Sequence, residues 1–469
     1  MPARAPSKIR NTRALLRNGD RAAREPALRL LDAVLQEVDA GKRIRELLRV
    51  KDGVLSIGAR QWDLAKKRAI YLLGAGKACN AMAMAVCDIL GDWLTQGIIA
   101  VKTAEPEDRY LNTQVFVGGG ASPENGGLSA AEHMLALIDT AGPDDLFLAV
   151  FSGGSAALLA YPVEGITLED ELHAEDVLRK SGATTREINA VRRHISRSNG
   201  GRFAQRIEAR GAELINLLVS DTVGDPPTAD RSVPARIYGT MVAPDDTTIQ
   251  DARDAIDHHV LRDQIGYSIV EYLWDDARVR ETPKAFGERV TTFVLGAVPD
   301  PCEAAARVAA RMGIPLLVLT TCWEGEGREL GTFLAAMACE IQYRGRPIAP
   351  PCFLVCSGQT NTRIIRRPHG LGGPSHEVVT SFAIGARMLG GISVASIDTE
   401  GTDGTTPYAG AVADTRTFDR LEGTGKGAYA ALRGHATGTM LEALGDSIET
   451  GNTGTNLCSF HVVYVSKGV

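Results

Sequence analysis

The chain has 469 residues, a formal net charge of -6 and 44% hydrophobic residues. This length predicts two domains, with three as the alternative, and the weakly acidic balance gives no general attraction to nucleic acid or to an anionic membrane. No apolar run reaches the roughly 18 residues that a membrane-spanning helix needs. The 8 cysteines form neither a CxxC pair nor a zinc-binding spacing, which is typical of free thiols in a reducing compartment. We therefore expect a cytoplasmic globular protein.

The first half of the chain alternates between strand patterns and helix patterns. An amphipathic helix is predicted over 27–38, and we expect it to pack on the first domain. Strands are predicted over 69–73, 98–102, 115–117, 147–151 and 214–219. Helices are predicted over 78–90, 128–138 and 167–209, the last broken at 181–182. This order predicts a parallel sheet covered by helices.

The second half repeats an α/β pattern after a connection rich in Pro, Asp and Thr. Helices are predicted in the connection at about 249–276. The later strands are predicted over 293–295, 316–319, 353–355, 394–397 and 457–465, and the later helices over 302–312, 330–343 and 378–388. The predicted division is an N-terminal domain over 1–245, a connecting helical segment over 246–290 and a C-terminal α/β domain over 291–469.

Three predicted strands end in loops that carry polar residues. The strand over 147–151 runs into Ser152-Gly-Gly-Ser155, the strand over 69–73 into Gly74-Ala-Gly-Lys77, and the strand over 214–219 reaches Asp221. Ligands of open α/β sheets bind beyond the carboxyl ends of the strands. Together these junctions predict one phosphate and metal site built from loops.

Each of the two glycine turns has a purely structural alternative. Glycines permit close backbone approach to a phosphate and Lys77 supplies a positive charge, but the GxxxxGK[ST] spacing is missing. Cys79 stands at the third glycine of a GxGxxG fingerprint, so tight strand–helix packing fits equally well. The turn at Ser155 is no nucleophile elbow, because Ala156 follows it, and a plain strand-to-helix turn is its alternative.

Three carboxylates in two loops are candidate magnesium ligands. They are Asp221, Asp225 and Asp403. A phosphate-bound Mg²⁺ takes only one or two protein carboxylates, so one or two of these suffice. Aspartates in such loops also cap helices and form Asx turns, and for Asp225 this alternative is favoured.

A cluster of cationic residues and a late glycine turn are further candidates. Arginine suits bidentate recognition of a carboxylate substrate, and Asn189 accompanies the cations; the alternative is a solvated helix face. The cations are Arg192, Arg193, His194 and Arg202. The turn 451–456, which ends at Asn456, either closes over a phosphate or forms a hairpin before the last strand.

Seven stretches, in order from about residue 27 to the end, resemble the class II glycerate 2-kinase family. They are GAGKACNAMA, ASPENGGLSAAEHMLALI, SGGSAALLAYPVEGITLED, SGATTREINAVRRHISRSNGGRFA, LLVSDTVGDPP, GTDGTTPYAGAVAD and GDSIETGNTGTNL. The resemblance implies a Rossmann-like N-terminal domain, a MOFRL-type α/β domain and a site in the cleft between them. It implies a kinase that phosphorylates the 2-hydroxyl of glycerate with ATP and Mg²⁺.

The resemblance also implies roles for particular residues. Lys77 would be the catalytic lysine, and Asp403 a second catalytic residue. The metal would be held by Asp221 and the substrate by Asn189 and Arg192. Phosphate or nucleotide contacts would come from Ser152, Gly153, Gly154, Ser155 and Asn456.

The sequence departs from the family in its ligand loops. The family's SGGGSALL reads SGGSAALL, its GGE reads Ser357-Gly-Gln359, and its GGRNQE places Pro374 at the expected arginine. Arg363 or His376 would then supply the missing substrate contact, and His376 or Asp403 the base. The departures indicate a divergent subfamily.

The departures leave the activity open among several classes. The alternatives are a kinase for a different sugar acid and a non-catalytic homologue that binds nucleotide or acid. An NAD(P)-dependent hydroxypyruvate reductase is disfavoured by the missing third glycine. We expect a small hydroxy acid and ATP as the only partners, with the oligomeric state open and a homodimer among the alternatives.

Overall fold

The helices and strands below are those of a computed structural model, which describes residues 6–118, 126–225, 230–232, 240–364, 370–425 and 427–467. The helices are α1 (Thr12–Arg17), α2 (Arg21–Glu37), α3 (Ala40–Leu47), α4 (Cys79–Leu90), α5 (Gly126–Asp139), α6 (Ser155–Leu158), α7 (Leu168–Ser181), α8 (Thr185–His194), α9 (Arg202–Ala209), α10 (Ile249–His258), α11 (Tyr267–Trp274), α12 (Asp300–Met312), α13 (Gly327–Arg344), α14 (Pro374–Gly385), α15 (Thr417–Gly423), α16 (Ala428–Arg433) and α17 (Thr437–Ala443). The strands are β1 (Leu48–Lys51), β2 (Val54–Ile57), β3 (Arg60–Asp63), β4 (Ala69–Ala75), β5 (Gln96–Val101), β6 (Thr113–Val117), β7 (Asp145–Phe151), β8 (Glu213–Val219), β9 (Val290–Gly296), β10 (Leu316–Glu326), β11 (Cys352–Asn361), β12 (Ile392–Asp398), β13 (Gly410–Asp414), β14 (Ser447–Ile448) and β15 (Ser459–Val465).

These elements form two compact units, each assembled from separate segments of the chain. The parallel-sheet unit comprises Arg43–Val219 and Thr228–Leu295, and the mixed-sheet unit comprises Met1–Lys42, Ser220–Pro227 and Gly296–Val469. This grouping differs from the predicted division at residues 245 and 290. Residues 121–125 of one family-like stretch lie outside the described residues.

The parallel-sheet unit is built around a sheet of described strands in the order β6-β5-β4-β7-β8-β9. The pairs β4–β5, β4–β7, β5–β6 and β7–β8 are parallel. Every residue of β4 and β7 is buried, because helices cover both faces of a parallel sheet. The predicted α/β fold with its helix-covered parallel sheet is therefore confirmed.

Two parts of this unit differ in character from the sheet. Helices α7, α8, α10 and α11 share a small apolar core of their own, centred on residues such as Leu178, Val191 and Ile256. Strands β1, β2 and β3 form an antiparallel sheet, which the sequence did not predict. Its strands have four residues each, too few to show an alternating pattern clearly.

The mixed-sheet unit orders its described strands β10-β11-β15-β12-β13-β14. Only the β10–β11 pair is parallel among these described strands, and β15 lies antiparallel between β11 and β12. Helices α13 and α14 pack on this sheet through residues such as Leu334 and Phe382. No described helix combines the length and apolarity needed to cross a membrane.

Helix α2 belongs to the mixed-sheet unit, where it contacts β12, β15 and α12. The prediction that the helix over 27–38 packs on the first domain is therefore wrong. The reason is a buried charge. Arg24 of α2 is fully buried and contacts Asp414 at 2.5 Å and Asp446 at 2.8 Å. These ion pairs fix α2 to the end of β13.

Candidate functional site

Two loops of the parallel-sheet unit meet because β4 and β7 are parallel neighbours, with Ala75 opposite Phe151. Each loop begins one residue later, at the same edge of the sheet. The Lys77 backbone N–H donates to the Gly153 carbonyl at 3.0 Å, and the Ala78 N–H donates to Ser152 Oγ at 3.0 Å. The adjacent strand ends therefore bring the two loops together, and these hydrogen bonds join them.

We call Lys77, Ser152, Gly153, Gly154 and Ser155 the lysine–glycine cluster. A Cβ atom added to Gly154, whose φ is +84°, would come within 3.1 Å of Lys77 Cγ. The lysine side chain thus lies along the turn. The N–H groups of Gly153 and Gly154 donate no hydrogen bond to another described residue. A cluster with a lysine and two such backbone donors has the chemistry of an anion site.

The predicted substrate residues lie elsewhere in this unit, on α8. Arg192 Nε is 3.3 Å from Glu175 Oε2 and 3.6 Å from Glu171 Oε1, both on α7. Burial raises the pKa of Glu171, and the nearby Arg192 opposes that rise. Asn189 is half-buried on the same helix. Among the described residues, no hydrogen bond or ion pair joins Asn189 or Arg192 to the lysine–glycine cluster.

Two of the remaining cations of this segment make ion pairs within the parallel-sheet unit, and the third, Arg202, donates to the Arg280 carbonyl at 2.9 Å. Arg193 Nη1 contacts Asp245 at 2.8 Å, and His194 Nε2 contacts Glu281 at 2.7 Å. Burial acts to raise the pKa of Glu281, but hydrogen bonds from Lys284 and His194 outweigh it and lower the value to about 2. The ion pairs agree with the alternative of a helix face with ordinary ion pairs, but the side chains of Arg193 and His194 are largely buried and not solvated.

In the mixed-sheet unit, Asp221 is held by residues from the last turn and strand. Asn456 Nδ2 donates to Asp221 Oδ2 at 3.2 Å. Cys458 Sγ lies 2.9 Å from the Asp221 carbonyl oxygen and 3.2 Å from Gln359 Oε1, and these two oxygens share its single S–H donor. The Oδ2 of Asp225 instead accepts from Ser220 Oγ at 2.5 Å, as expected for a turn residue. The structure therefore joins Asp221 and Asn456, which are far apart in sequence.

Asp403 and His376 form a buried pair at the start of α14. Asp403 Oδ1 accepts the Ser375 N–H at 3.0 Å, Oδ2 accepts the His376 N–H at 2.9 Å, and His376 Nδ1 lies 2.5 Å from Oδ2. A Cβ on Gly373 would lie 2.5 Å from the Asp403 carboxylate carbon. The carboxylate therefore caps this helix from a distant loop.

Next to this pair lies a cavity of about 320 Å³, lined in part by Gln359, Pro374, Asp398 and Asp403. Arg363 is exposed and precedes Ile364, which also lines the cavity. The described lining includes no arginine or lysine. The cavity consequently presents carboxylates and amides, which suit hydroxyl groups or a hydrated cation.

Sequence reasoning missed two residues of this cavity, Glu377 and His435. Glu377 is almost fully buried, and its Oε1 lies 2.8 Å from His435 Nδ1. Its Oε2 makes no hydrogen bond with the described chain. Burial raises the pKa of Glu377, against the opposing hydrogen bond to His435. Glu377 is the last residue of the segment in which the sequence departs from the family's GGRNQE pattern, so that departure was a usable signal. Nothing in the sequence marks His435.

Comparison with known proteins gives matches that cover most of the chain. A family model described as a domain of unknown function (DUF4147) matches residues 26–274, and the MOFRL family model matches residues 352–459. The glycerate 2-kinase of Pyrococcus horikoshii is 33% identical, over 95% of this chain and 98% of that protein. A putative hydroxypyruvate reductase of Agrobacterium vitis is 33% identical, over 84% of this chain and 86% of that protein.

A solved structure shares the fold. The crystal structure of glycerate kinase from Thermotoga maritima is similar with a TM-score of 0.72 at 27% identity, covering 93% of this chain and 98% of that one. The two family models, in this order, are the architecture of one family of kinases. On its domains and on these similarities, the chain belongs to the class II glycerate 2-kinase family.

Proposed function

We propose that this protein is a kinase that transfers the γ-phosphoryl group of ATP to the 2-hydroxyl of glycerate, with Mg²⁺ as its metal ion. The family membership supports the reaction class. The observation that carries the proposal is the lysine–glycine cluster, in which Lys77 lies along Gly154 beside two backbone donors. Phosphoryl transfer needs little covalent help from the protein and depends mainly on positioning and on stabilising negative charge.

Within this proposal the cluster binds the phosphates. The N–H groups of Gly153 and Gly154 donate to phosphate oxygens, because the glycines leave room for close approach. The Lys77 ammonium stabilises the charge that develops on the phosphoryl group during transfer. Ser152 fixes the second loop by accepting the Ala78 N–H, and Ser155 continues that loop into α6.

Asp221 is the residue we assign to the metal. Mg²⁺ bound with phosphates usually keeps one or two protein carboxylates, and it neutralises charge on the phosphate oxygens. The side chain of Asp221 is half-buried, and Asn456 orients it through one oxygen. Asn456 is therefore assigned as a positioning residue for Asp221 in addition to its predicted phosphate contact.

The acid is assigned to Asn189 and Arg192, with Arg363 or His376 supplying the further contact, as the sequence predicts. Arg192 already faces two carboxylates of α7, so binding an acid there requires it to share its charge. The Asp403 carboxylate is hydrogen-bonded to the backbone N–H and to the ring of His376. A role for Asp403 as base requires it to release one of these hydrogen bonds.

The experiment that tests the proposal is ADP production from ATP and Mg²⁺ with D- and L-glycerate. We expect turnover with one enantiomer and its loss in Lys77→Met at an unchanged thermal midpoint. Lys66→Met is the matched control, because Lys66 is a highly exposed lysine of the same unit. Full activity of Lys77→Met would contradict the assignment of the lysine.

A second candidate is the same reaction on a larger sugar acid. It is favoured by Pro374 at the expected arginine and by the carboxylates that line the neighbouring cavity. Four-carbon to six-carbon sugar acids in the same assay separate it from glycerate. No absorbance change of a nicotinamide cofactor with hydroxypyruvate would dismiss the reductase alternative.

A further inference from the structure

A cluster of metal-ligating side chains lies in the parallel-sheet unit, on helices α8 and α10. Ligand atoms of Glu187, His258 and His259 all lie within 4.8 Å of one another. Glu187 Oε1 and His259 Nε2 are 3.3 Å apart. Two ligands about 2.0–2.2 Å from one zinc ion at a tetrahedral angle stand at about this separation.

The polar atoms of the cluster point to a missing partner. His259 Nε2 is buried, and although it lies near Glu187 it makes no hydrogen bond with the described chain. A buried polar atom without a hydrogen bond is rare and costly, and here only the ion-pair contact with Glu187 Oε1 offsets that cost. His258 is exposed, and its ring stands at 90° to the ring of His259, with 4.8 Å between ring centroids. Its ring nitrogens are therefore accessible to an ion from solvent.

The second oxygen of Glu187 is already committed. Oε2 accepts the backbone N–H of Thr184 at 2.7 Å in the capping box of α8. One oxygen thus holds the helix while the other faces His259.

The surroundings leave space for water on an ion. A cavity of about 270 Å³ is lined by Glu187 and His258 together with Asp251 and Asp254. Arg186 also lines it, but its guanidinium contacts Asp246 at 2.5 Å. A site with three protein ligands and open positions for water fits this arrangement.

We propose that Glu187, His258 and His259 bind a divalent transition-metal ion of the zinc class. Two imidazoles and one carboxylate select such an ion over Mg²⁺ and Ca²⁺, which prefer oxygen ligands. The ion joins the first turn of α8 to the last turn of α10. Since α8 also carries Asn189 and Arg192, the ion stabilises the helix that presents them.

The test is calorimetric titration of Zn²⁺ into the full chain, made without a histidine tag and treated with EDTA. We expect one saturable site and a rise of the thermal midpoint with Zn²⁺. Glu187→Gln is the sharpest variant, because glutamine preserves a capping box but is not an anionic ligand. It should bind Zn²⁺ about 10- to 100-fold more weakly, as should His258→Ala.

The control is His133→Ala, which removes an exposed histidine of another helix in the same unit. It should bind Zn²⁺ as the unchanged chain does. Co²⁺ as a second probe should give the absorption bands of a low-symmetry site, and these should be lost in Glu187→Gln. No saturable binding to the unchanged chain, or equal affinity in all variants, would overturn the proposal.

Discussion

The side chain of Lys77 lies against Gly154, so close that a Cβ at position 154 would come within 3.1 Å of Lys77 Cγ and 3.4 Å of its Cδ. Gly154 also has a φ of +84°, which costs an L-residue about 1–2 kcal/mol. We expect Gly154→Ala to displace the lysine and to lower kcat about 100-fold, because misplacing a catalytic group by about 1 Å has such an effect. Steady-state ADP production measures this.

The matched control is Gly182→Ala. Gly182 has a φ of +88° at the end of α7, and a Cβ there would meet nothing within 4 Å. Both variants bear the same backbone strain and should lose similar thermal stability, but only Gly154→Ala should lose activity. An equal loss of kcat in both variants would contradict the role of the Lys77–Gly154 contact.

Removing the buried Arg24 should strongly destabilise the mixed-sheet unit. Its guanidinium donates to Asp414 at 2.5 Å, to Asp446 at 2.8 Å and to the Leu15 carbonyl at 2.9 Å. Arg24→Ala leaves the buried Asp414 without its cation, which costs about 3–5 kcal/mol, whereas Asp446 keeps Arg420 at 2.7 Å. We expect a clear drop in the thermal midpoint, measured by calorimetry.

An exposed arginine of the same helix provides the comparison. Arg21 pairs with Glu25 at the surface of α2, at 3.3 Å between Nε and Oε2. Such a pair contributes about 0–1 kcal/mol, so Arg21→Ala should barely move the midpoint. A similar, small shift for Arg24→Ala would show that the buried ion pairs do not stabilise the fold.

The fold was largely predictable because buried parallel strands have a simple signature. The runs over 69–73 and 147–151 are continuous and apolar, and both are strands with every residue buried. The placement of α2 was not predictable. Its apolar stripe fits any sheet, and the deciding feature is the pairing of Arg24 with aspartates about 390 and 422 residues away.

The site was predictable where its residues follow neighbouring strands of one sheet. Lys77 and Ser152 follow adjacent strands, so one sheet brings them together. Asp403 and His376 illustrate the limit, because nothing local signals that a loop aspartate caps a helix 27 residues earlier. His435 beside Glu377 is another long-range contact of this kind, separated by 58 residues.

His461 should make the protein less stable in mild acid. It is fully buried, with Nδ1 at 2.8 Å from Ser396 Oγ and Nε2 at 3.0 Å from Thr360 Oγ1. Burial lowers its pKa from 6.5 to about 4, while Asp403 opposes this shift. As pH falls from about 6.5 to 4, the unfolded chain takes up a proton that the folded chain does not. The free energy of unfolding should therefore decrease by about 1.4 kcal/mol per pH unit in this window.

His461→Gln is the variant that isolates this effect, because glutamine can still donate to and accept from the two hydroxyl groups. We expect its unfolding free energy, from urea titrations at several pH values, to depend less steeply on pH between about 6.5 and 4. His133→Gln, an exposed histidine, should retain the steeper dependence. Parallel curves for His461→Gln and the unchanged chain would contradict the assignment.

Asp403→Asn distinguishes a positioning role from a catalytic one. Asparagine can accept at only one of the two oxygen positions that bind the Ser375 and His376 N–H groups, so one donor at the start of α14 loses its partner. This should cost about 1–3 kcal/mol and lower the thermal midpoint.

If Asp403 only positions this helix turn, kcat falls by the same factor at every pH. If Asp403 is the base, the acidic limb of the kcat profile disappears, because that limb reports its protonation. Asp398→Asn, which removes another carboxylate of the same cavity, controls for the change in charge. Since both Asp403 oxygens already accept hydrogen bonds, we expect the positioning result, and a lost acidic limb would contradict it.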